Sequence, residues 1–180
     1  MKILVTRPIK LAQELEPKVI ALNHEPIICP LLKISILDKI NTQIPSIISS
    51  QHALSCIKNK DVRLYVLGER TSEIAKSLGH TDVIYAGDNI NELKKNIPPN
   101  EKLLYLSGAE VTDDLSQFPN IIRKIVYQAS SVTSMPIALT NFLKIKETKA
   151  ILVFSTKSAK TFINLTKNYR LYDNFNDIIA

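Results

Sequence analysis

The sequence has four glycines and two cysteines in 180 residues, and neither type falls where common cofactor or metal chemistry would need it. No GxGxxG follows an apolar run, and no GxxxxGK precedes a Ser or Thr, so neither a dinucleotide fingerprint nor a P-loop is present. A GxSxG nucleophile elbow is missing too. Cys29 and Cys56 sit in apolar surroundings without CxxC spacing or a histidine arranged beside them, and read as buried thiols rather than metal ligands. The three histidines are placed for no triad. His24 and His80 each follow a helix end, which predicts surface positions, while His52 lies in the first turn after Ser50 and reads as structural or solvated. No apolar stretch reaches membrane length, and the start MKILVTRP lacks signal-peptide organisation. A cytoplasmic protein with no membrane partner is therefore expected. The net charge of +6 and pI near 9.3 suit an acidic partner such as a polycarboxylate. The lysines form no basic stripe with interleaved aromatics, so no nucleic-acid partner is expected.

What is present is alternation. KILVTRP is an apolar run ending in a turn, after which Leu11, Leu15, Val19 and Leu22 recur at helical spacing and Asn23 supplies a left-handed closing residue. Pro17 falls inside that helix, where it removes a backbone bond at a cost of about 3 kcal/mol. PIICPLLKISIL reads as a strand, RLYVLG as another, and ERTSEIAKSLG as a helix ending at Gly79. DVIYAG, NINELKKNI with Asn89 as N-cap, KLLYLSG, EVTDDLSQF and RKIVYQAS continue the strand and helix theme. Asp113 and Asp114 are then adjacent on a helix and diverge, which argues against an acid/base pair. From Ser134 the pattern restarts, with MPIALTNFLKI a helix, AILVFS a strand, SAKTFINLTKN a helix and NDIIA a strand. Strands alternating with helices of about ten residues imply parallel sheets covered on both faces.

One motif occurs twice. SSQHALSCI at 49–57 and STKSAKTFI at 155–163 share Ser, two polar residues, a variable fourth position, Ala, and an apolar ninth residue, each after an apolar run. Both copies predict a strand entering a helix whose first turn is rich in hydroxyls. In parallel α/β sheets, ligands bind at the carboxyl ends of strands, where helix N-termini offer free N–H groups. The residues at those ends are Thr6 and Arg7, Ser49 and Ser50, Gly68 to Thr71, Ser107 and Gly108, and Ser155, Lys157 and Ser158. Such a set suits carboxylates or phosphates. The plainer alternatives are a helix cap for each serine, a sharp turn for Gly68, a first-turn hydroxyl for Thr71 and a half-buried strand residue for Tyr127. Without metal, cofactor or paired acid and base, the chemistry expected is one in which positioning outweighs proton transfer.

The ordered set KILVTRP, HEPIICPLLKI, SSQHA, YVLGERTSEIAKSLG, DVIYAG, KLLYLSG, KIVYQ and VFSTKSAKTFINL resembles the uroporphyrinogen III synthase family over nearly the whole chain. The resemblance implies two Rossmann-like or flavodoxin-like parallel-sheet domains joined by a two-stranded β connection, with the active site in the cleft between them. On this chain the first domain would hold residues 1–36 and 129–180 and the second 37–128. The implied activity is a lyase of haem biosynthesis. It converts hydroxymethylbilane, a linear tetrapyrrole with eight carboxylates, to uroporphyrinogen III by losing water, closing the ring and inverting the last pyrrole, with no cofactor.

By the same resemblance Ser50, Thr71, Ser107, Gly108, Ser155 and Ser158 would hold carboxylates, with Thr6, Gly68 and Lys157 beside them. Arg7 would contribute either charge or a structural ion pair, and Tyr127 would hydrogen bond the leaving hydroxyl. Family members continue past the position of Ala180 with a glycine and threonine turn, a helix, a strand and a last helix. The first domain is thus expected to be incomplete at its C-terminus, with an uncovered sheet edge favouring poor stability or association in place of a family-like monomer. A second reading is a non-enzymatic remnant or polycarboxylate-binding module of the same fold.

Overall fold

The computed structural model describes residues 1–111, 114–145, 149–168 and 178–179; Asp113 lies outside them. By its contacts the chain divides into two compact units, Met1–Lys33 with Ser130–Ala180, and Ile34–Ala129.

The first unit is built on β1 (Lys2–Val5), α1 (Ile9–Ala21) and β2 (Glu25–Ile28), and later α4 (Ile137–Leu143), β9 (Lys149–Leu152), α5 (Thr156–Asn168) and β10 (Ile178–Ile179). Its sheet runs β10-β9-β1-β2 with every pairing parallel. Side chains alternate across it as the pleat requires. Leu4 and Ile151 face Leu139, Phe142, Leu143 and Leu165 of α4 and α5, whereas Ile3 and Val5 face Ala12 and Val19 of α1. Helix α1 passes through Pro17 unbroken. Both Pro17 and Gln13, whose carbonyl loses its donor, lie on the exposed side, so the unpaired carbonyl faces solvent rather than the core.

The second unit contains β4 (Ser46–Ile48), β5 (Leu64–Val66), α2 (Glu69–Ser77), β6 (Val83–Tyr85), α3 (Ile90–Asn96) and β7 (Leu103–Gly108). Two further strands, β3 (Leu32–Ile36) and β8 (Ile121–Ser131), span the boundaries in the chain. The sheet order is β3-β8-β7-β4-β5-β6. Counted from β4, the five strands β4 to β8 lie in the order 3-2-1-4-5, the doubly wound arrangement. Ile48, Leu64, Val66, Leu104 and Leu106 pack with Ala53, Leu54 and Ala75 on one face, and Ile47, Tyr65, Leu103 and Tyr105 pack with Leu93 of α3 and its C-cap Ile97 on the other. The α/β class with parallel sheets is thus as the alternation predicts. Among the described residues, no helix is long and apolar enough to cross a membrane.

Three local expectations need correction. The first copy of the repeated motif does not open an α-helix: Gln51–Cys56 is a 3-10 helix, and only the second copy continues as thirteen-residue α5. The reason is non-local. Ile40 N–H donates to Cys56 O and Lys58 N–H to Ile40 O, so the backbone groups that would extend the helix are spent on a bridge to Ile40. The stretch EVTDDLSQF forms only a short 3-10 turn, Leu115–Gln117, for which Asp114 is the N-cap. Finally, His80 is buried, at 4% exposure, rather than on the surface. Gly79, at φ +85°, and His80 close α2 with bonds to Lys76 O and Ala75 O, a Schellman ending that folds the following residue back onto the helix. Asn23, at φ +59°, ends α1 in the same way, with His24 N–H donating to Val19 O, and His24 is half-buried.

Candidate functional site

Each sheet has one place where successive strands leave in opposite directions, and ligand sites of doubly wound folds lie beyond the carboxyl ends of those two strands. In the second unit the pair is β4 and β7. Their exits are Ser49–Ser50 and Ser107–Gly108, which the sequence had singled out. In the first unit the pair is β1 and β9, and the exits are Thr6–Arg7 and Val153–Ser155.

At the β4 exit the two serines do different work. The Ser49 hydroxyl pairs with the Tyr105 phenol at 2.9 Å, tying β4 to β7, and Ser50 Oγ accepts from His52 N–H at 3.4 Å. Burial pushes the Tyr105 phenol above its ordinary value, against the opposing pull of the Ser49 bond. At the β5 exit, Gly68 takes φ +83°, donates its N–H to Gly87 O and accepts from the N–H groups of Thr71 and Ser72. Its turn fixes where α2 begins and sets the Thr71 hydroxyl in the first turn.

At the β7 exit, Ser107 is buried and its hydroxyl donates to Gly108 O while accepting from Arg123 Nε at 2.9 Å. Arg123 also donates to Gly108 O, Ala109 O and Asp114 Oδ2, each at 3.0 Å. One guanidinium thus holds the whole turn. The Asp114 carboxylate is held below its usual range, first by the Ser116 N–H and then by Arg123.

Tyr127, 9% exposed on β8, lies directly on Gly108. A Cβ at position 108 would fall 2.8 Å from the ring's Cζ and 3.0 Å from its hydroxyl. The strand register shifts between Ser107 and Gly108, so that Ser107 stands opposite Ile125 and Gly108 opposite Tyr127. His52 completes the group, its ring centroid 5.5 Å from that of Tyr127 and tilted by 58°. Sequence patterning had not marked Arg123 or Tyr105. A charge on an alternating strand and an apolar-run tyrosine carry no local signal of the partners they find across the sheet.

In the first unit, the buried Thr6 donates its hydroxyl to Leu152 O at 2.8 Å, and its N–H reaches the same oxygen at 3.4 Å. The Arg7 guanidinium lies over the Phe154 ring, 4.5 Å from the centroid. Ser155 Oγ accepts the N–H of Ser158 at 3.1 Å and pairs with its hydroxyl at 2.9 Å, capping α5, with Lys157 half-buried between them. Thr6, Arg7, Ser155, Lys157 and Ser158 therefore group at one end of the first sheet. Ser50, Gly68, Thr71, Ser107, Gly108 and Tyr127 group on the second. Among the described residues, no set of His, Cys, Asp and Glu side chains could hold a metal ion.

The family model described as uroporphyrinogen-III synthase HemD matches residues 13–180. No curated protein matches the chain. Among solved structures, the chain is similar to a uroporphyrinogen-III synthetase from Helicobacter pylori, at 17% identity and a TM-score of 0.61 over 91% of this chain and 78% of that one. It is also similar to a mutant uroporphyrinogen III synthase from the extremely thermophilic bacterium Thermus thermophilus, at 8% identity and a TM-score of 0.53 over 100% of this chain and 83% of that one. At such identities the structural likeness speaks for the fold, and the family model for the descent.

Proposed function

Because the chain belongs to the uroporphyrinogen-III synthase family, lyases of haem biosynthesis that close hydroxymethylbilane to uroporphyrinogen III, we propose that its strand exits receive the substrate's carboxylates and that Tyr127 addresses the departing hydroxyl. The small-molecule substrate is a flexible chain of four pyrroles. Loss of its hydroxyl is driven by the electron-rich pyrrole, which becomes an azafulvene cation, so a hydrogen bond from a phenolic O–H to the leaving oxygen suffices and no strong acid is required. The harder task is geometric. Free in solution the chain closes without inversion, to isomer I. Attack at the substituted carbon through a spiro intermediate needs the chain folded and held, and holding of this kind is what fixed hydroxyls and backbone donors contribute.

The observation that carries the reading is the seating of the Tyr127 ring on Gly108 at the β7 exit, with Ser49 and Ser50 at the β4 exit on the other side of the switch point. A phenol held there stands beside carboxylate-binding donors. Ser50, Gly68, Thr71 and Gly108 would bind carboxylates in this unit, and Thr6, Arg7, Ser155, Lys157 and Ser158 would bind others at the exits of the first sheet. With the Ser107 hydroxyl engaged on both sides, its part falls to shaping the turn.

The test is turnover of freshly generated hydroxymethylbilane, with isomers III and I separated after oxidation and Tyr127→Phe run beside the wild type. Isomer III in excess, lowered about tenfold or more in the variant, is expected. Isomer I alone, at the spontaneous rate and from protein shown to be folded, would overturn the reading.

A further inference from the structure

We infer that Phe154 and Arg7 form a stacking seat for one carboxylate-bearing pyrrole of the linear tetrapyrrole, an inference that rests on the synthase reading above. Phe154 is 50% exposed and Val153 beside it 40%, at the exit of β9, one of the two strands flanking the first sheet's switch point. A large aromatic ring left half open at a binding end of a sheet presents a flat apolar surface where the loops of such folds meet their ligands.

Arg7 supplies the charge. Its guanidinium sits over the ring at 4.5 Å, and Thr6 N–H and hydroxyl both bind Leu152 O, which ties the β1 exit that carries Arg7 to the β9 exit that carries Phe154. A pyrrole ring with its acidic side chains has the complementary two parts, a flat electron-rich ring and a carboxylate one or two methylenes from it. Laid against the part of Phe154 left open, it would bring that carboxylate to the guanidinium beside the ring. An exposed cation–π contact contributes little to folding, so the pair's removal should be read in substrate binding rather than in stability.

The experiment compares Phe154→Leu and Phe154→Tyr with the wild type for KM and kcat of isomer III formation, with thermal midpoints measured alongside. Phe154→Leu should raise KM by about fivefold or more, the fold-change expected for one lost ring contact, with kcat little changed. Phe154→Tyr, which keeps the ring, should stay within about twofold of wild type. An unchanged KM in Phe154→Leu, or an equal loss in both variants, would overturn the seat. Wild type making no isomer III would sink the synthase reading instead. The seat is then decided separately with F154W, whose single tryptophan, in a chain that otherwise has none, should shift its emission on titration with uroporphyrinogen I. No shift at saturating ligand would overturn the seat as well.

Discussion

Gly108 and Tyr127 are opposed across β7 and β8 so closely that the ring and hydroxyl of the tyrosine occupy the space a Cβ would need. Position 108 is therefore glycine because of its neighbour, not because of its own backbone angles. Gly108→Ala must push the ring away, at an overpacking cost of about 1–3 kcal/mol. If Tyr127 acts on the leaving hydroxyl, the expected outcome is a fall in isomer III formation larger than the stability loss explains. Isomer ratios measured beside the urea midpoint check it.

Arg123 spans Ser107, Gly108, Ala109 and Asp114 with its side chain 19% exposed. Arg123→Lys keeps the charge but cannot make the fork, and should destabilise the protein by about 2 kcal/mol through unsatisfied acceptors at the β7 exit. Asp114→Asn removes only the exposed end of the network and should cost less than Arg123→Lys. Chemical denaturation of the two variants distinguishes the buried part of the clamp from its rim.

His80 predicts an acid limb of the stability curve. Burial first, and then Lys60, lowers its pKa below the ordinary 6.5, and Lys60 Nζ lies 3.1 Å from Nε2. The unfolded chain then binds the proton more readily. The stability is fully present above the unfolded value and is lost as pH falls through the folded one. The denaturation midpoint of the wild type should drop between about pH 7 and 5, and His80→Leu should show a smaller drop over the same range.

Both thiols should be unreactive in the native state. Burial pushes the Cys29 thiol up to about 11 and also raises that of Cys56, whose sulfur donates to Val126 O at 3.5 Å. Thiolate is the reacting species. A thiol titration should find no fast-reacting group in folded protein and both cysteines after denaturation.

Much of this was legible beforehand because local pattern and tertiary role coincide. Apolar runs punctuated by Thr6–Arg7, Ser49–Ser50, Ser107–Gly108 and Ser155 are strand exits, and the chain order turns them into switch points. Asn23 and Asn89 end and begin helices by their own side-chain and backbone chemistry. What failed did so where a distant residue or the path of the backbone after a turn decides. Ile40 converts the first repeat copy into a 3-10 helix, and the Schellman turn at Gly79 buries a histidine that hydropathy would leave in water. Arg123 gains its meaning only when β8 is laid beside β7, where the Ser107 hydroxyl accepts its Nε–H and donates to Gly108 O.

The register shift between Ser107 and Gly108 makes the neighbourhood of Tyr127 a matter of counting. Val126 is the residue passed over, and its carbonyl turns to the N–H groups of Leu37 and Asp38 instead of to β7. Were the pairing continued without that offset, the residue facing Gly108 would be Val126, and the phenol would point to the opposite side of the sheet. Insertion or deletion of one residue in β8 upstream of Tyr127 would therefore erase the phenol's position while leaving every apolar residue in the chain. Substitution scanning would never uncover this frame dependence.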